Sequence, residues 1–468
     1  MKKKILLLSD DLRMNSGIAT VSRDIVLSTV DQFDWLQVGA AIQHPDAGKM
    51  IDISEDVKTQ TGVEDANVRI IPYNGYGDQN LIRSIIENEK IDAILHFTDP
   101  RFWEWLYEME HELRQHIPLM YLNIWDDLPD PWYNREAYSS CDLLMAISKQ
   151  TYGINHRIIN RYEGRVSPTR VTYVPHGISE NEFFPIDESH PSYEKYIEFK
   201  NTILKNKEYD FVVFWNNRNI RRKNPGDVIL AYKHFFDSLT PEQQEKTILI
   251  MHTAPVDQNG THIPNLITDI APYLNVAFSD KMVPRDVMNY FYNLADVVIT
   301  MTSNEGFGLA TAESVMAGTP IIVNVTGGLQ DQCGFAINEN GNRRYLMEDD
   351  YIEIGSLHNK KKWKNNPNLS HGEWVTPIWP SNRSLQGSVP TPYIFDDRVD
   401  FEEVGDALLD LYSVPREERK SRGKSGREYM LDPNTGLSRS NMGIRVRESI
   451  LNCIDNFTPR NSFELIKV

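Results

Sequence analysis

The chain has 468 residues, 40% of them hydrophobic and 25% charged, an ordinary globular composition that allows two or three domains around large cores. Its 66 acidic residues outweigh 49 Lys and Arg for a formal net charge of -17, which argues against general nucleic-acid binding driven by phosphate neutralisation. Three cysteines, none in a CxxC, read as reduced thiols of a cytoplasmic protein (host cytoplasm if the source is viral), and no apolar run approaches the roughly 18–20 residues of a membrane span.

In chain order, MKKKILLLSDD carries an apolar run only from Ile5 to Leu8, too short for a signal-peptide core and suited to a first buried strand. Residues 6–28 then read as strand, an Asn15-Ser16-Gly17 loop and a helix, and Gly17 could present backbone amides to a phosphate or sugar. IDAILHF, IPLMYLNIW and CDLLMAIS follow as strands; His96 ends the first, and Trp125, Asp126 and Asp127 end the second. Residues 171–195, with three prolines, mark a break. DFVVFWN, TILIMHT, DVVITMT and TPIIVNV then form a second strand series. Continuous apolar runs separated by helical stretches predict parallel sheets covered on both faces, and two such series predict an α/β chain of two doubly wound domains. Residues 365–397 read as an ordered loop insertion, and Asn441–Phe457 as a helix.

Two βα loops carry the chemistry. In FWNNRNIRRKNPGD, Pro225 suits the first position of a helix and Asn224 its cap. Arg218, Arg221, Arg222 and Lys223 therefore crowd a positive helix end, which is unfavourable without an anion and suggests a bound diphosphate. Arg218 and Lys223 are expected to face the ligand and the other two to be solvated; the plainer alternative pairs the cluster with surface carboxylates. In TMTSNEGFGLATAESVMAGTPIIV, Gly306 and Gly308 open a helix after a strand, where free amides favour an anion. Glu305 and Glu313 flank that turn, and acceptor-only carboxylates suit hydroxyl-rich ligands. Equally, Glu305 could be a helix N-terminal charge and Glu313 an exposed helix residue.

Together, Glu305-Gly-Phe-Gly-Leu through Glu313, the AGTPIIV after it, Arg218, Lys223 and VPHGISENEFFP at 174–185 resemble the retaining glycosyltransferases of family four and their E-x7-E signature. The match is specific in the C-terminal half and mostly topological in the N-terminal half. With the 365–397 insertion, the whole is similar to glycosyltransferases encoded by large phages. The resemblance implies the GT-B fold: residues 1–178 as an acceptor-side Rossmann-like domain, 179–440 as a donor-side one, and 441–468 as a helix and tail returning to the first. It implies that Glu305 contacts donor-sugar hydroxyls, Glu313 holds the ribose, and Arg218 and Lys223 neutralise the leaving diphosphate. Gly306, Phe307, Gly308 and Leu309 would meet the sugar or β-phosphate, Met282 and Val283 the base, and Gly327 and Gly328 the diphosphate. The expected reaction moves a hexose from a UDP-glucose-like donor to a glycan, lipid, small-molecule or modified-nucleobase acceptor, with no cofactor and no metal.

The family's sugar-contacting histidine is missing from IWDDLPD, where Asp126 stands instead. His96 is the nearest substitute for the acceptor or sugar side, although a satisfied strand-end histidine is the plainer reading. Three other classes compete: a metal-dependent transferase using Asp126 and Asp127, a glycoside hydrolase using Glu305 and Glu313 as an acid/base pair, and a sugar-binding module. The basic loop argues against all three.

Overall fold

The computed structural model describes residues 2–167, 170–354 and 363–460. Its first sheet contains β1 (Lys3–Asp10), β2 (Phe33–Ala40), β3 (Ile51–Asp52), β4 (Val68–Pro72), β5 (Ala93–Phe97), β6 (Leu119–Asn123), β7 (Leu143–Ala146) and β8 (Val171–Tyr173). They lie in the order β3-β4-β2-β1-β5-β6-β7-β8, parallel except for the short β3–β4 pair. At the centre Leu6 pairs with Leu36 on one side and Ile94 on the other, and β1 is buried throughout its apolar run. That double burial is why ILLL is unbroken rather than alternating.

The second sheet has β9 (Phe211–Asn216), β10 (Thr247–His252), β11 (Val276–Ser279), β12 (Val297–Thr300) and β13 (Ile321–Asn324). Beyond it β14 (Ala336–Glu339), β15 (Asn342–Tyr345) and β16 (Leu369–Ser370) form a small antiparallel sheet. Next come β17 (Val375–Ile378) and the hairpin of β18 (Asn382–Gln386) and β19 (Ile394–Arg398). The second sheet runs β11-β10-β9-β12-β13-β17, all parallel. Two doubly wound α/β domains are therefore present, as expected.

Each sheet reverses its winding direction once. β2 and β5 flank β1, and β10 and β12 flank β9. Loops at the carboxyl ends of the strands diverge at such switch points and leave a crevice. The loops after β1, β9 and β12 all reach the space between the domains.

The expectation for residues 365–397 is corrected. They are not a loop: they supply β17 at the edge of the second sheet, and the β18–β19 hairpin. Trp374 and Trp379 are buried at 4% and 7% exposure, which anchors the segment in the core. The hairpin also crosses to the first domain. Phe395 N–H donates to the Leu128 carbonyl at 2.7 Å, and the Tyr133 hydroxyl donates to the Tyr393 carbonyl at 2.9 Å.

The helix Arg439–Asp455 packs back on the helix Gly17–Thr29 of the first domain. Its Gly443 approaches so closely that a Cβ there would lie 2.8 Å from that of Ser28. Arg439 N–H donates to the Ile178 carbonyl at 2.8 Å and Ile178 N–H to that of Leu437 at 2.9 Å, tying the returning chain to the crossover. The end of the expected tail, residues 461–468, lies outside the described residues. No helix among the described residues is long and apolar enough to cross a membrane.

Candidate functional site

A cleft of about 740 Å³ opens between the two domains. Its floor is the loop after β12. Gly308, at φ +91°, turns the chain into the helix Leu309–Met316, a conformation that glycine adopts without Cβ strain. The loop is held from behind. Gly328 N–H donates to the Glu305 carbonyl at 2.8 Å, and the Gln332 side chain donates to the Phe307 and Gly308 carbonyls at 2.7 and 2.9 Å. A Cβ on Gly327 would overlap the Glu305 carbonyl oxygen and one on Gly328 that of Gly306. This close approach explains why two glycines follow β13, and it places them behind the cleft floor rather than in the ligand space.

The loop after β9 supplies the cations. Arg221–Lys223 form a single tight 3₁₀ turn, and Asn224 follows in the left-handed region at φ 49°. Successive residues of such a turn point about 120° apart. Arg221 therefore faces solvent, while Arg222 and Lys223 face the cleft. Lys223 Nζ is hydrogen-bonded to Glu305 Oε2, and Arg222 Nη1 lies 3.5 Å from the same oxygen. Arg222 also donates to the Asn304 carbonyl at 2.7 Å. Asn224 occupies the predicted cap position, but its side chain donates instead to the Met301 carbonyl at 2.7 Å, locking the two loops together.

Arg218 lines the same cleft. Its side chain is 67% exposed at the cleft rim and pairs with Asp257 at 3.2 Å. Arg222, expected to be solvated, takes the inward position. Spacing along the chain favours no one arginine of a cluster; the turn type does.

Burial pushes the Glu305 carboxyl up, but Lys223 and Arg222 more than offset this and hold it below its ordinary value. Lys223 is pulled down, by burial first and then by repulsion from Arg222, despite its bond to Glu305. Both shifts run downward, which favours the charged carboxylate, facing two cations, and disfavours the charged ammonium, buried beside Arg222. Taken alone, two cations and one carboxylate leave the three residues one positive charge in excess, with the Asp126 carboxyl within electrostatic reach of each. Asp126, at the opposite wall, is pushed up by burial, with Arg222 opposing the rise.

Glu313, one and a half turns into its helix, accepts a 2.6 Å hydrogen bond from the Tyr292 hydroxyl, which in turn accepts one of 2.9 Å from Asn216. Burial pushes its carboxyl up to about 7, against the pull of Arg285 and the Tyr292 bond. Arg285 spans the domains, pairing with Glu182 at 2.7 Å and with Asp24 of the first domain at 3.2 Å. Met282 and Val283 line the same end of the cleft, and Met282 is 72% exposed there.

From the first domain, Ser16 caps the helix that begins at Gly17, accepting from Ala19 N–H at 3.1 Å. A Cβ on Gly17 would lie 3.5 Å from Leu309 across the cleft. Asp126 and His176 complete this wall. The His176 ring sits between Phe97 and Phe307, with centroids at 5.6 and 5.1 Å. Burial lowers its pKa to about 3, and its buried Nδ1 has no hydrogen-bond partner.

His96 is a second correction. It is fully buried in β5, its Nδ1 is 2.6 Å from the Tyr107 hydroxyl, and its ring stacks on Tyr121. It does not reach the cleft, because the side chain lies on the face of β5 turned into the sheet's helical layer. Asp127, the second carboxylate of the metal alternative, is also fully buried. It accepts from Leu128 N–H at 2.7 Å and from Gln150 at 3.2 Å, facing away from Asp126 into the domain interface. Among the described residues no group of three His, Cys, Asp or Glu is placed to hold a metal ion.

Sequence reading named Arg222 but expected it to be solvated, and it missed His176, Tyr292 and Arg285. His176 lies within the quoted VPHG segment and Arg285 two residues after Val283, so both were within reach of a motif-based reading. Tyr292 carries no such signal, because an interior helix tyrosine is usually core.

Residues 197–343, which include the basic loop and both glutamates, match the family model described as Glycosyl transferases group 1. A D-inositol 3-phosphate glycosyltransferase of Thermobispora bispora is 30% identical over 107 residues, 22% of this chain and 25% of that protein. One from Salinispora arenicola is 26% identical over 197 residues, 42% of each chain. The chain thus spans between a quarter and about two-fifths of the length of these relatives. Among solved structures, Anabaena Alr3699/HepE in complex with UDP and glucose superposes with a TM-score of 0.62 at 12% identity, over 96% of this chain and 99% of that one. Sucrose-phosphate synthase from Thermosynechococcus elongatus superposes at 0.63 and 13%, over 97% and 100%. The fold is the GT-B fold.

Proposed function

We propose that the protein is a retaining, metal-independent glycosyltransferase of family four that moves a hexose from a nucleotide-diphosphate donor, UDP-glucose by preference, to a hydroxyl acceptor. The observation that carries this reading is the Arg222–Lys223–Glu305 cluster. It presents one excess positive charge beside the amino end of the helix Leu309–Met316, in a cleft whose far end offers the Glu313 carboxylate. Cations and free amides suit a diphosphate, and an acceptor-only carboxylate suits ribose hydroxyls. The choice of UDP-glucose is supported by the ligands named for the Anabaena structure.

In the reaction the bond from the anomeric carbon to the diphosphate oxygen breaks, and its electron pair leaves with the nucleotide. The acceptor hydroxyl oxygen bonds to the same carbon, and its proton passes to the departing phosphate oxygen. Arg222 and Lys223 meet the charge that grows on the diphosphate. Glu305, fixed between them, faces the sugar whose anomeric carbon becomes positive. Glu313, oriented by Tyr292, holds the nucleoside. A pair of hydrolytic carboxylates is disfavoured, because Glu305 is committed to two cations and cannot serve as a general acid.

The test is a panel of UDP-, GDP- and ADP-sugars incubated with the protein without acceptor, with release of nucleotide diphosphate as the readout. Slow turnover of UDP-glucose ahead of the others supports the reading. Turnover of none of them, or hydrolysis of a simple glycoside instead, overturns it.

A further inference from the structure

The first domain holds an aromatic surface that the donor site does not use. Tyr76, in the loop after β4, and Phe102, in the turn after β5, stack face to face with centroids 4.5 Å apart and planes within 8°. Trp103 backs them edge-on at 6.0 Å. Phe102 is 52% exposed, so the stack is not closed off as core. A half-exposed ring backed by a second aromatic presents a flat apolar surface on which a ligand can lie.

The surface is rigidly built. Asp99 caps the turn Pro100–Phe102 and holds Arg101 with bonds of 2.8 and 3.0 Å. Arg101 in turn donates to the Pro390 carbonyl at 3.0 Å, at the tip of the β18–β19 hairpin. That hairpin therefore bounds the surface from the donor domain. Gly77, at φ +81°, lets Trp105 close in behind Tyr76: a Cβ there would lie 3.1 Å from the indole.

Two carboxylates connect the stack to the cleft. Asp10 ends β1, lies within electrostatic reach of Tyr76, and accepts a 2.7 Å bond from Ser16, a cleft residue. Asp126 of the cleft wall lies within electrostatic reach of Arg101. Loops from the carboxyl ends of β1, β4, β5 and β6 thus converge on one face beside the reaction site. The nearby cations are already engaged. Arg13 grips Asp11 at 2.9 and 2.7 Å, and Arg101 grips Asp99. Among the described residues, the face at the stack therefore offers flat apolar rings and hydrogen-bond acceptors, while Arg13 and Arg101 beside it are held by carboxylates.

We infer that the Tyr76–Phe102 stack is the acceptor platform and that it takes an uncharged pyranose. The apolar C–H face of the sugar lies on the rings, and its hydroxyls donate to Asp10. This rests on the transferase reading above and deepens it. It separates this chain from the relatives whose name carries a phosphate on inositol. A nucleobase could stack on the same rings, but its phosphate backbone would meet Asp10 and Asp99.

The experiment is saturation-transfer NMR with methyl α-glucopyranoside and maltose, on the full chain in the presence of UDP, beside a short single-stranded oligonucleotide and glucose 6-phosphate. Both neutral sugars should bind. Phe102→Ala should weaken them about tenfold, and Phe102→Tyr should restore binding. A thermal melt of each variant checks that the exposed ring was removed without unfolding. Sugar binding that is absent, or unchanged by Phe102→Ala, overturns the platform, as does preference for the oligonucleotide or the phosphorylated sugar. Sugar binding lost in Phe102→Ala in a protein that turns over no nucleotide sugar would uphold the platform and remove the transferase reading instead.

Discussion

Tyr292 donates a 2.6 Å hydrogen bond to Glu313, and the pair stands at the end of the cleft assigned to the nucleoside. Burial raises the Glu313 carboxyl to about 7, so near neutrality the empty site holds it partly protonated. Ribose hydroxyls bind the ionised form better. UDP affinity should therefore rise between pH 6 and pH 8, and Glu313→Gln should flatten that dependence. Stability runs the other way. A carboxyl whose folded pKa lies above its unfolded value of roughly 4.3 favours the folded state at low pH and costs stability as pH rises through 7, by at most about 4 kcal/mol. Glu313→Gln should raise the melting temperature more at pH 8 than at pH 5. Calorimetry across pH checks the first expectation and thermal melts check the second.

Both arginines line the cleft, but Arg222 lies beside Glu305 while Arg218 is 67% exposed at the rim beside Asp257. A charged hydrogen bond to the leaving diphosphate contributes roughly 1.5–3 kcal/mol, so Arg222→Ala should lower kcat/KM about ten- to a hundredfold. The exposed Arg218–Asp257 pair is screened by solvent, and Arg218→Ala should stay within about fivefold of the parent. Steady-state rates for both variants decide between them, and the reverse ranking would give Arg218 the larger role.

The sequence did not show that Arg222 lies deeper in the cleft than Arg218. The strand series, the βα order and both glutamates were legible because burial on two faces leaves unbroken apolar runs, and because helix-opening glycines stand beside the carboxylates. The direction of a side chain within RNIRRK was not, since it depends on a single 3₁₀ turn closed by an asparagine in the left-handed region. β2 was likewise hidden: FDWLQVGA carries Asp34 and Gln37, and Gln37 is buried only because it bonds Ser9 and the Asp10 carbonyl at 2.8 Å each. The hairpin in 382–398 was hidden by its polar, proline-bearing sequence, which packs against the other domain and not into a core of its own. His96 and His176 look alike in sequence; only the fold puts one in a buried stack and the other in the cleft wall.

Gly328 has an ordinary backbone conformation at φ -73°, so replacing it with alanine adds only a methyl group directed at the Gly306 carbonyl. Gly328→Ala should displace the loop that carries Glu305 and Gly306. We expect a loss of about 1–3 kcal/mol in stability, and a drop in turnover larger than that loss explains. Denaturant melts and kinetics on the same preparation separate the two effects.

In the proposed reaction Arg222 and Lys223 supply the charge opposite the diphosphate, so metal should be dispensable. Turnover should persist in EDTA and should not rise on adding Mn²⁺. Activity that is abolished by chelation and restored by Mn²⁺ would return the role to Asp126, whose carboxylate lines the cleft.

The central claim is that Glu313 binds the nucleoside and Glu305 serves the reacting sugar. Nucleoside contacts are equal before and during bond cleavage, whereas charge near Glu305 develops only as the bond breaks. Calorimetric titration of UDP into the parent, Glu305→Ala and Glu313→Ala proteins tests this most directly. The account predicts that Glu313→Ala loses roughly ten- to a hundredfold in UDP affinity, while Glu305→Ala still binds UDP and fails mainly in kcat. UDP affinity lost in Glu305→Ala but kept in Glu313→Ala, or left untouched in both, would contradict it.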